Sequence, residues 1–516
     1  MATSSRPNVL FISADQWRAD CLSAVGHPLV KTPHLDRLAA EGTLFRNHFT
    51  QAAPCGPSRA SLLTGMYAMN HRSILNGTPL DDRHTNIARE VRKGGFDPIL
   101  YGYTDTSVDP RTVAAGDPAL RDYGGLLPGF REGFRYDDEI CLPWINQLRS
   151  KGYTLPWHPA QTYFADPAVE LPAGKGHSYA PTLYRAEDSD TAYTADRILQ
   201  HMQAHRGQGW FIHGVFLRPH PPLYAPEPFN RLYAAEQVAL PQRESSLVEA
   251  KAQHPFLDYW LDVQQRPGYY FGHQHNVVSL PEAELQQMRA TYYGLITEVD
   301  LHLGRLFDYL RETGEYDNTL IVFTVDHGEQ LGDHYLWGKG GYFDASYHIP
   351  LIIRAPECSG ARGKQLSALT EAVDLMPTML DWLGLPIPTS CDGESLLPWL
   401  HGADPAHWRS EVFWEYDFRD PHTQQAEQRL GLNSNDCTLA VLRSERYKYV
   451  HFTAMPPLLF DLLDDPCEFH NLADNPQYLP ILLQMAQRML SRRMARADRV
   501  LANTLLTRQG VINPPC

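Results

Sequence analysis

Two short apolar runs far apart in the chain constrain the fold most. They are Asn8-Val9-Leu10-Phe11-Ile12-Ser13-Ala14-Asp15 and Thr319-Leu320-Ile321-Val322-Phe323-Thr324-Val325-Asp326. A strand covered on both faces reads as a continuous apolar run, not as an alternating one, and such strands sit in the middle of sheets flanked by helices. Both runs are of strand length and both end in a carboxylate. In open α/β sheets ligands gather outside the carboxyl ends of the strands. Asp15 with Gln16, and Asp326 with His327 and Gly328, are therefore placed at one edge as candidate site residues. Taken alone, Asp15 reads more readily as a turn or helix cap.

Other segments lead to the same edge. Phe96 to Tyr103 is a short strand with a polar exit loop, and Trp210 to Leu217 is an apolar run stopped by Arg218-Pro219-His220-Pro221-Pro222, whose prolines fix His220 beside Asp15. Leu351 to Ile353 adds a further strand. Helices are predicted over Thr32 to Glu41, over Val373 to Leu383 with a break at Pro377, and most clearly over Ser279 to Arg311. In the last, Leu285, Met288, Tyr292, Leu295, Val299, Leu303, Leu306 and Leu310 recur at steps of three and four, and Ser279 with Glu282 has the form of a capping box. Asp109 to Ala192, rich in Pro, Gly, Tyr and Trp, reads as a long insertion covering the site. Lys339 lies in the flexible loop Gly338-Lys339-Gly340-Gly341, where it can approach an anion. Past about His401 the pattern turns to hairpins, Thr438 to Leu442 and Tyr447 to Phe452, followed by a helix from Leu479 to about Val500. The expected division is a catalytic domain over 1–400 and a smaller antiparallel-sheet and helix domain over 401–516.

Between the first strands lies Pro54-Cys55-Gly56-Pro57-Ser58-Arg59-Ala60-Ser61-Leu62-Leu63-Thr64-Gly65. Pro57 suits the first position of a helix and Gly65 the residue just past its end. On this reading Cys55 faces a helix start, where unpaired N–H groups favour negative charge, and Arg59 lies over the same face. That is a place to hold an anion against a nucleophile.

Composition narrows the partners. Of 516 residues 20% are charged and the net charge is −15, with no long basic run, which argues against nucleic acid and anionic membranes. The polar start and the short run Val9 to Ile12 do not form a signal h-region, and no apolar run reaches membrane-spanning length, so the expected location is cytoplasmic. The eight cysteines, Cys21, Cys55, Cys141, Cys358, Cys391, Cys437, Cys467 and Cys516, are scattered with no CxxC pair, as suits a reduced compartment.

Cys55 to Gly65 fits CxPSRxSLLTG without a mismatch, and the chain thereby resembles the formylglycine-dependent sulfatases of the alkaline phosphatase superfamily. The likeness extends over the strand ending in Asp15, Arg59, the His220 loop, Asp326-His327-Gly328, Lys339, and Phe460-Asp461-Leu462 to Asn471-Leu472-Ala473. Asp15 to Asp20, Met69-Asn70-His71-Arg72 and Asp326 to His334 are most similar to the phosphonate monoester hydrolase branch. The resemblance implies an alkaline phosphatase-like fold and a metal-dependent hydrolase of phosphonate monoesters, phosphodiesters and aryl sulfates. It implies conversion of Cys55 to formylglycine by a maturation enzyme, hydration to a geminal diol, attack by one hydroxyl and release of the bound oxyanion by the other. The implied metal ligands are Asp15, Gln16, the modified Cys55, Asp326 and His327. Gln16 and His327 stand where typical sulfatases offer Asp and Asn, which favours manganese, with calcium and zinc as the other candidates. Arg59 and Lys339 would hold the nonbridging oxygens, and His220 or Lys339 would protonate the leaving oxygen. A homodimer or homotetramer is implied too.

One departure bears on substrate. The phosphonate branch carries Tyr-x-Thr after the Leu100 strand, where this chain has Tyr103-Thr104-Asp105. Either Thr104 or Thr106 supplies the missing hydroxyl, or Asp105 brings a carboxylate that changes substrate preference. Asn76, in Leu75-Asn76-Gly77, matches a site residue of the branch, although Asn-Gly is also a common turn. The alternative readings are a dedicated sulfatase with weak phosphonate activity and, from another class, an anion-binding scaffold without turnover.

Overall fold

A computed structural model describes residues 6–137, 140–498, 500–502 and 504–512. The two apolar runs form its central strands. In chain order, the strands of the large sheet are β1 (Asn8–Asp15), β2 (Thr43–Phe49), β3 (Ile99–Gly102), β4 (Arg131–Arg135), β5 (Phe211–Pro219), β6 (Thr319–Val325), β7 (His348–Arg354) and β8 (Lys364–Glu371). Their order across the sheet is β4-β3-β5-β1-β6-β7-β2-β8. Every residue of β1, β5 and β6 is buried. β1 runs parallel to β5 on one side and β6 on the other, with Val9 opposite both Phe211 and Leu320. Only β7 runs against its neighbours. The carboxyl ends of β1, β3, β5 and β6 therefore meet on one edge, and they deliver Asp15, Tyr103 to Asp105, His220 and Asp326-His327 there.

Helices flank this sheet as expected, with local differences. The long helix spans Glu282–Thr313, and the whole predicted stripe from Leu285 to Leu310 is buried. It packs on β5 and on the helices Pro33–Glu41 and Asp190–Ala204. Gly314 ends it in a left-handed conformation. The predicted capping box does not form: Ser279 closes the short 3-10 turn Val277–Ser279, and the helix begins after Pro281 with no side-chain cap. Pro377 does not break its helix, Leu375–Trp382, because it falls in the first turn, where an N–H has no intrahelical partner. The expected insertion is partly regular. It contributes the edge strand β4 and the helix Leu142–Ser150. β4 escapes the hydrophobic pattern because an edge strand needs one neighbour only, so Arg131, Glu132 and Gly133 are exposed.

The C-terminal part forms a second, antiparallel sheet of β9 (Glu411–Asp417), β10 (Thr438–Ser444), β11 (Tyr447–Phe452) and β12 (Leu458–Asp461), in the order β12-β11-β10-β9. The predicted hairpin is in register, Leu439 opposite Phe452. The helix Leu479–Ala495, shorter than expected, docks through Met485 and Met489. This sheet buttresses the segment leading to Cys55: Ala52 bridges to Glu415, and the Phe49 ring stacks 5.8 Å from Trp414. An exposed hairpin of β13 (Leu505–Thr507) and β14 (Gly510–Ile512) follows.

Among the described residues no helix is long and apolar enough to cross a membrane. The seven cysteines described are all free; Cys516 lies outside the described residues.

Candidate active site

Cys55 is itself the first residue of its helix, Cys55–Thr64, and does not face the helix start from outside it. Pro57 accordingly falls at the third position. All ten helix residues are buried, and the side chains of the motif each have a job in holding the helix there. Ser58 Oγ donates to the Asp326 carbonyl at 2.5 Å and bonds Thr50 Oγ1 at 2.8 Å, which ties the Cys55 helix to the end of β6. Ser61 bonds His71 at 2.9 Å. Gly65 takes φ 68°, and a Cβ there would also meet Cys391 Sγ at 3.0 Å. A Cβ at Gly56 would press on Asn76 Oδ1 and the Asp105 carbonyl, both at 3.1 Å. The helix start offers less to an anion than the sequence suggested, since the Gly56 N–H is already taken by Asn76 Oδ1 at 2.9 Å and Pro57 has none.

Around Cys55 the strand ends converge. One ligand atom from each of Asp15, Cys55, Asp326 and His327 lies within 4.8 Å of the others, and all four residues are buried. Cys55 Sγ is 3.1 Å from His327 Nε2. His327 donates its Nδ1–H to the Gly328 carbonyl at 3.0 Å, which turns the Nε2 lone pair toward the cluster. Burial holds His327 below the usual histidine range and so keeps it neutral. Asp15 Oδ1 is buried without a hydrogen-bond partner. Burial pushes its carboxyl up, but His220, His327, Arg59 and Lys339 outweigh burial and hold it well below the carboxylate range. For Asp326, burial and the adjacent Asp15 win, and its carboxyl is pushed up. Two buried carboxylates side by side, an imidazole lone pair and an orphaned carboxylate oxygen are what a hard divalent cation needs, so these residues fit one. The thiol itself suits neither role: burial, then Asp15, pushes Cys55 far above the usual range and keeps it protonated.

Arg59 is committed to this cluster. Its Nε and Nη2 donate to Asp326 Oδ2 at 3.1 and 2.9 Å, Nη2 also to Asp15 Oδ2 at 2.9 Å, and Nη1 to the Tyr103 carbonyl at 2.8 Å. Its guanidinium lies 3.9 Å over the Tyr103 ring, and Tyr103 Oη donates to Asp15 Oδ2. Arg59 and Tyr103 thus orient the carboxylates. Asp105 Oδ2 is 3.7 Å from Arg59 Nε, on a backbone with φ 48°. Burial pushes its carboxyl up to about 7 against the pull of Arg59 and Lys339, with Asp15 and Asp326 adding to the rise. Thr104 turns away: its hydroxyl donates to the Gly125 carbonyl and accepts from the Leu127 N–H. The Thr106 hydroxyl donates to the Thr104 carbonyl. Both hydroxyls are engaged by backbone, so Asp105 brings its charge to the site uncompensated by either.

On the opposite side Lys339 Nζ donates to Gln16 Oε1 at 2.7 Å and to His220 Nε2 at 3.1 Å, while His220 Nδ1–H donates to the Pro221 carbonyl at 2.7 Å. Burial and the Lys339 charge lower His220 to about 3, so at neutral pH the proton of this pair rests on Lys339. Gln16, left-handed at φ 65°, is pinned by its N–H to Asp326 Oδ1 and its carbonyl to Tyr292 Oη. Its Nε2 donates to Glu329, a buried carboxylate to which the sequence pattern assigns no role. The one signal was its place directly after Asp326-His327-Gly328. Asn76 is exposed, and its side chain is held at the start of the Cys55 helix by the Gly56 N–H.

The sulfatase family model matches residues 7–385, well over half of the chain. The chain belongs to the sulfatase family. A second model, that of the N-sulphoglucosamine sulphohydrolase C-terminal region, matches 332–495. The chain is 44% identical over 514 residues to the multifunctional alkaline phosphatase superfamily protein PehA of Trinickia caryophylli, covering 98% of this chain and 99% of that one. The crystal structure of the phosphonate monoester hydrolase of Agrobacterium radiobacter superposes with a TM-score of 0.94 at 43% identity, over 99% of this chain and 100% of that one. An arylsulfatase of Clostridium perfringens is 28% identical, over 92% of this chain and 91% of its own length. The alkaline phosphatase-like architecture expected from the Cys55 motif is thus the observed one.

Proposed function

We propose that this sulfatase-family protein hydrolyses monoanionic esters, namely phosphonate monoesters, phosphodiesters and aryl sulfates, with a formylglycine derived from Cys55 as nucleophile. The observation that carries the reading is the convergence of Asp15, Asp326 and His327 on Cys55 with Asp15 Oδ1 unpaired. Such a site calls for a cation and an oxygen nucleophile, and a protonated thiol provides neither. The similarity to the phosphonate monoester hydrolase supports the ester class.

Asp15, Gln16, Asp326 and His327 would hold the cation, and manganese suits two carboxylates, an amide oxygen and an imidazole better than calcium does. When bound, the cation favours loss of a proton from the attacking hydroxyl and offsets charge on the transferring group. The protein's own groups supply the rest. Arg59 and Tyr103 fix the carboxylates, so that no reorganisation is needed as charge develops. Lys339, beside His220, offers both a positive charge to the nonbridging oxygens and a proton for the leaving oxygen, which His220 orients. Cys55 is buried in the folded chain, so its maturation enzyme must act before the chain closes over it.

The remaining elements of the reading rest on position. A division near residue 400 is supported by the separate sheet of β9 to β12, although that sheet also buttresses the Cys55 segment. A homo-oligomer is supported by the exposed Leu479, Leu483, Leu490 and Met494 on one face of their helix and by Leu505, Leu506, Val511 and Ile512 on the exposed hairpin. A cytoplasmic setting is supported by the free cysteines.

The test combines peptide mass spectrometry across Cys55 with rates on matched aryl sulfate, aryl phosphonate and diaryl phosphate. Conversion of the side chain to an aldehyde, with turnover of all three lost on chelation, is expected. An unmodified Cys55 at full activity would overturn the mechanism, and turnover of the sulfate alone would leave a dedicated sulfatase.

A further inference from the structure

Glu329 joins three segments of the site. Its Oε1 accepts the N–H groups of Leu331 at 2.9 Å and Gly338 at 2.6 Å, while its Oε2 accepts from Gln16 Nε2 and from Tyr270 Oη at 3.1 Å. Gln16 continues the chain: its Oε1 accepts from Lys339 Nζ, which also donates to His220 Nε2. Direction along this chain is fixed at both ends. An ammonium can only donate, so the oxygen of the Gln16 amide must face Lys339, and the carboxylate accepts, so the amide nitrogen must face Glu329. A flipped amide would set N–H against N–H at one end and oxygen against oxygen at the other.

We propose that Glu329 is a positioning residue that fixes the polarity of the Gln16 amide, so that its oxygen faces the cation site and Lys339. This rests on the reading of Asp15, Gln16, Asp326 and His327 as a cation site. The same contact to Gly338 anchors the loop that carries Lys339, so one carboxylate sets both the amide oxygen and the ammonium.

Glu329→Gln tests this with almost no change of shape. Two main-chain N–H groups hold Oε1, so the new amide must keep its oxygen there and turn its NH2 toward Gln16 Nε2. Donor then meets donor, and Gln16 must flip, which presents its NH2 to the cation and to Lys339. Binding of Mn2+ to metal-stripped protein, measured by chelator competition, should weaken about 10- to 100-fold, as losses of partners behind metal ligands do. Tyr270→Phe removes a donor to Glu329 but leaves the polarity intact, so it should keep Mn2+ affinity within about threefold. Gln16→Ala should abolish the effect, the double variant binding Mn2+ no more weakly than Gln16→Ala alone. Unchanged Mn2+ affinity in Glu329→Gln, or additive losses in the double variant, would overturn the proposal while leaving the cation site standing. A native protein that takes up no Mn2+ would overturn the cation site and this role with it. If Glu329→Gln does not fold, equal weakening by Tyr270→Phe refutes a role through amide polarity.

Discussion

Replacing Asp105 by Asn isolates the charge that sets this chain apart from the Tyr-x-Thr pattern it otherwise resembles. The side chain is 10% exposed and 3.7 Å from Arg59, and Asn tolerates the left-handed backbone at φ 48° as well as Asp does, so the change removes charge and little else. Burial, Asp15 and Asp326 together raise the folded-state carboxyl from 3.8 to about 7. The folded protein therefore keeps a proton that the unfolded chain has already lost, and stability falls as pH rises from about 4 to about 7 and then levels. A shift of this size corresponds to about 4 kcal/mol at most. In metal-free protein the Asp105→Asn variant lacks this slope. Its urea midpoint should rise relative to the native one between pH 5 and pH 8, the gap growing by about 2 kcal/mol. The kinetic arm follows from the same charge. An extra unit of negative charge on a substrate at roughly 6 Å, in an effective dielectric near 20, costs about 3 kcal/mol against Asp105. With the cation screening part of this, the variant should gain about 10- to 100-fold in kcat/KM for dianionic phosphate monoesters relative to phosphodiesters. A stability gap that does not change with pH, together with unchanged discrimination between dianion and monoanion, would refute both the burial of the charge and its role in substrate choice.

Three further outcomes are expected. His220→Ala should lower kcat about 100- to 10,000-fold for esters with poor leaving groups and far less for good ones, and equal losses across a leaving-group series would remove His220 from proton transfer. His213 is buried between Phe11 and Phe130 and held at about 3 by burial, so the unfolded chain takes up a proton there that the folded one refuses. Native stability should therefore fall with pH below about 6.5, and the deficit of His213→Gln relative to native protein should shrink by about 2 kcal/mol between pH 8 and pH 5, as read by urea unfolding. Leu483→Glu combined with Leu506→Glu should lower the mass seen in sedimentation without loss of fold, and an unchanged mass would place the subunit contact elsewhere.

Legibility in the sequence followed burial. β1 and β6 declare themselves because both faces are covered and only the small hydroxyl residues Ser13 and Thr324 interrupt their apolar runs, and with β5 they locate Asp15, His220, Asp326 and His327 at one edge. The Cys55 helix is visible because a helix buried on every side leaves little freedom at Gly56, Ser58, Arg59 and Gly65. β4 stays hidden because an edge strand of Arg131, Glu132 and Arg135 has no alternation to read. The hydroxyls of Thr104 and Thr106 and the partner of Gln16 stay hidden for a different reason. The bonds of Thr104 to Gly125 and Leu127 and of Gln16 to Glu329 join segments apart in the chain, and no spacing encodes them, while Thr106 turns back onto the Thr104 carbonyl.

Arg59 shows how this distinction alters the chemistry. On the sequence it is a cation four residues from Cys55 and free to clamp an anion. In the folded protein its donors are spent on Asp326, Asp15 and the Tyr103 carbonyl, with its face on the Tyr103 ring. Removing it would leave two buried carboxylates facing each other, which costs about 3 to 5 kcal/mol when no other cation is present. A divalent cation at the same carboxylates offsets much of that repulsion. Arg59→Gln should therefore unfold at markedly lower urea when metal is stripped and recover most of the deficit at saturating Mn2+. A deficit that Mn2+ does not reduce would mean that Arg59 and the cation do not share Asp15 and Asp326, and the cluster around Cys55 would need another explanation.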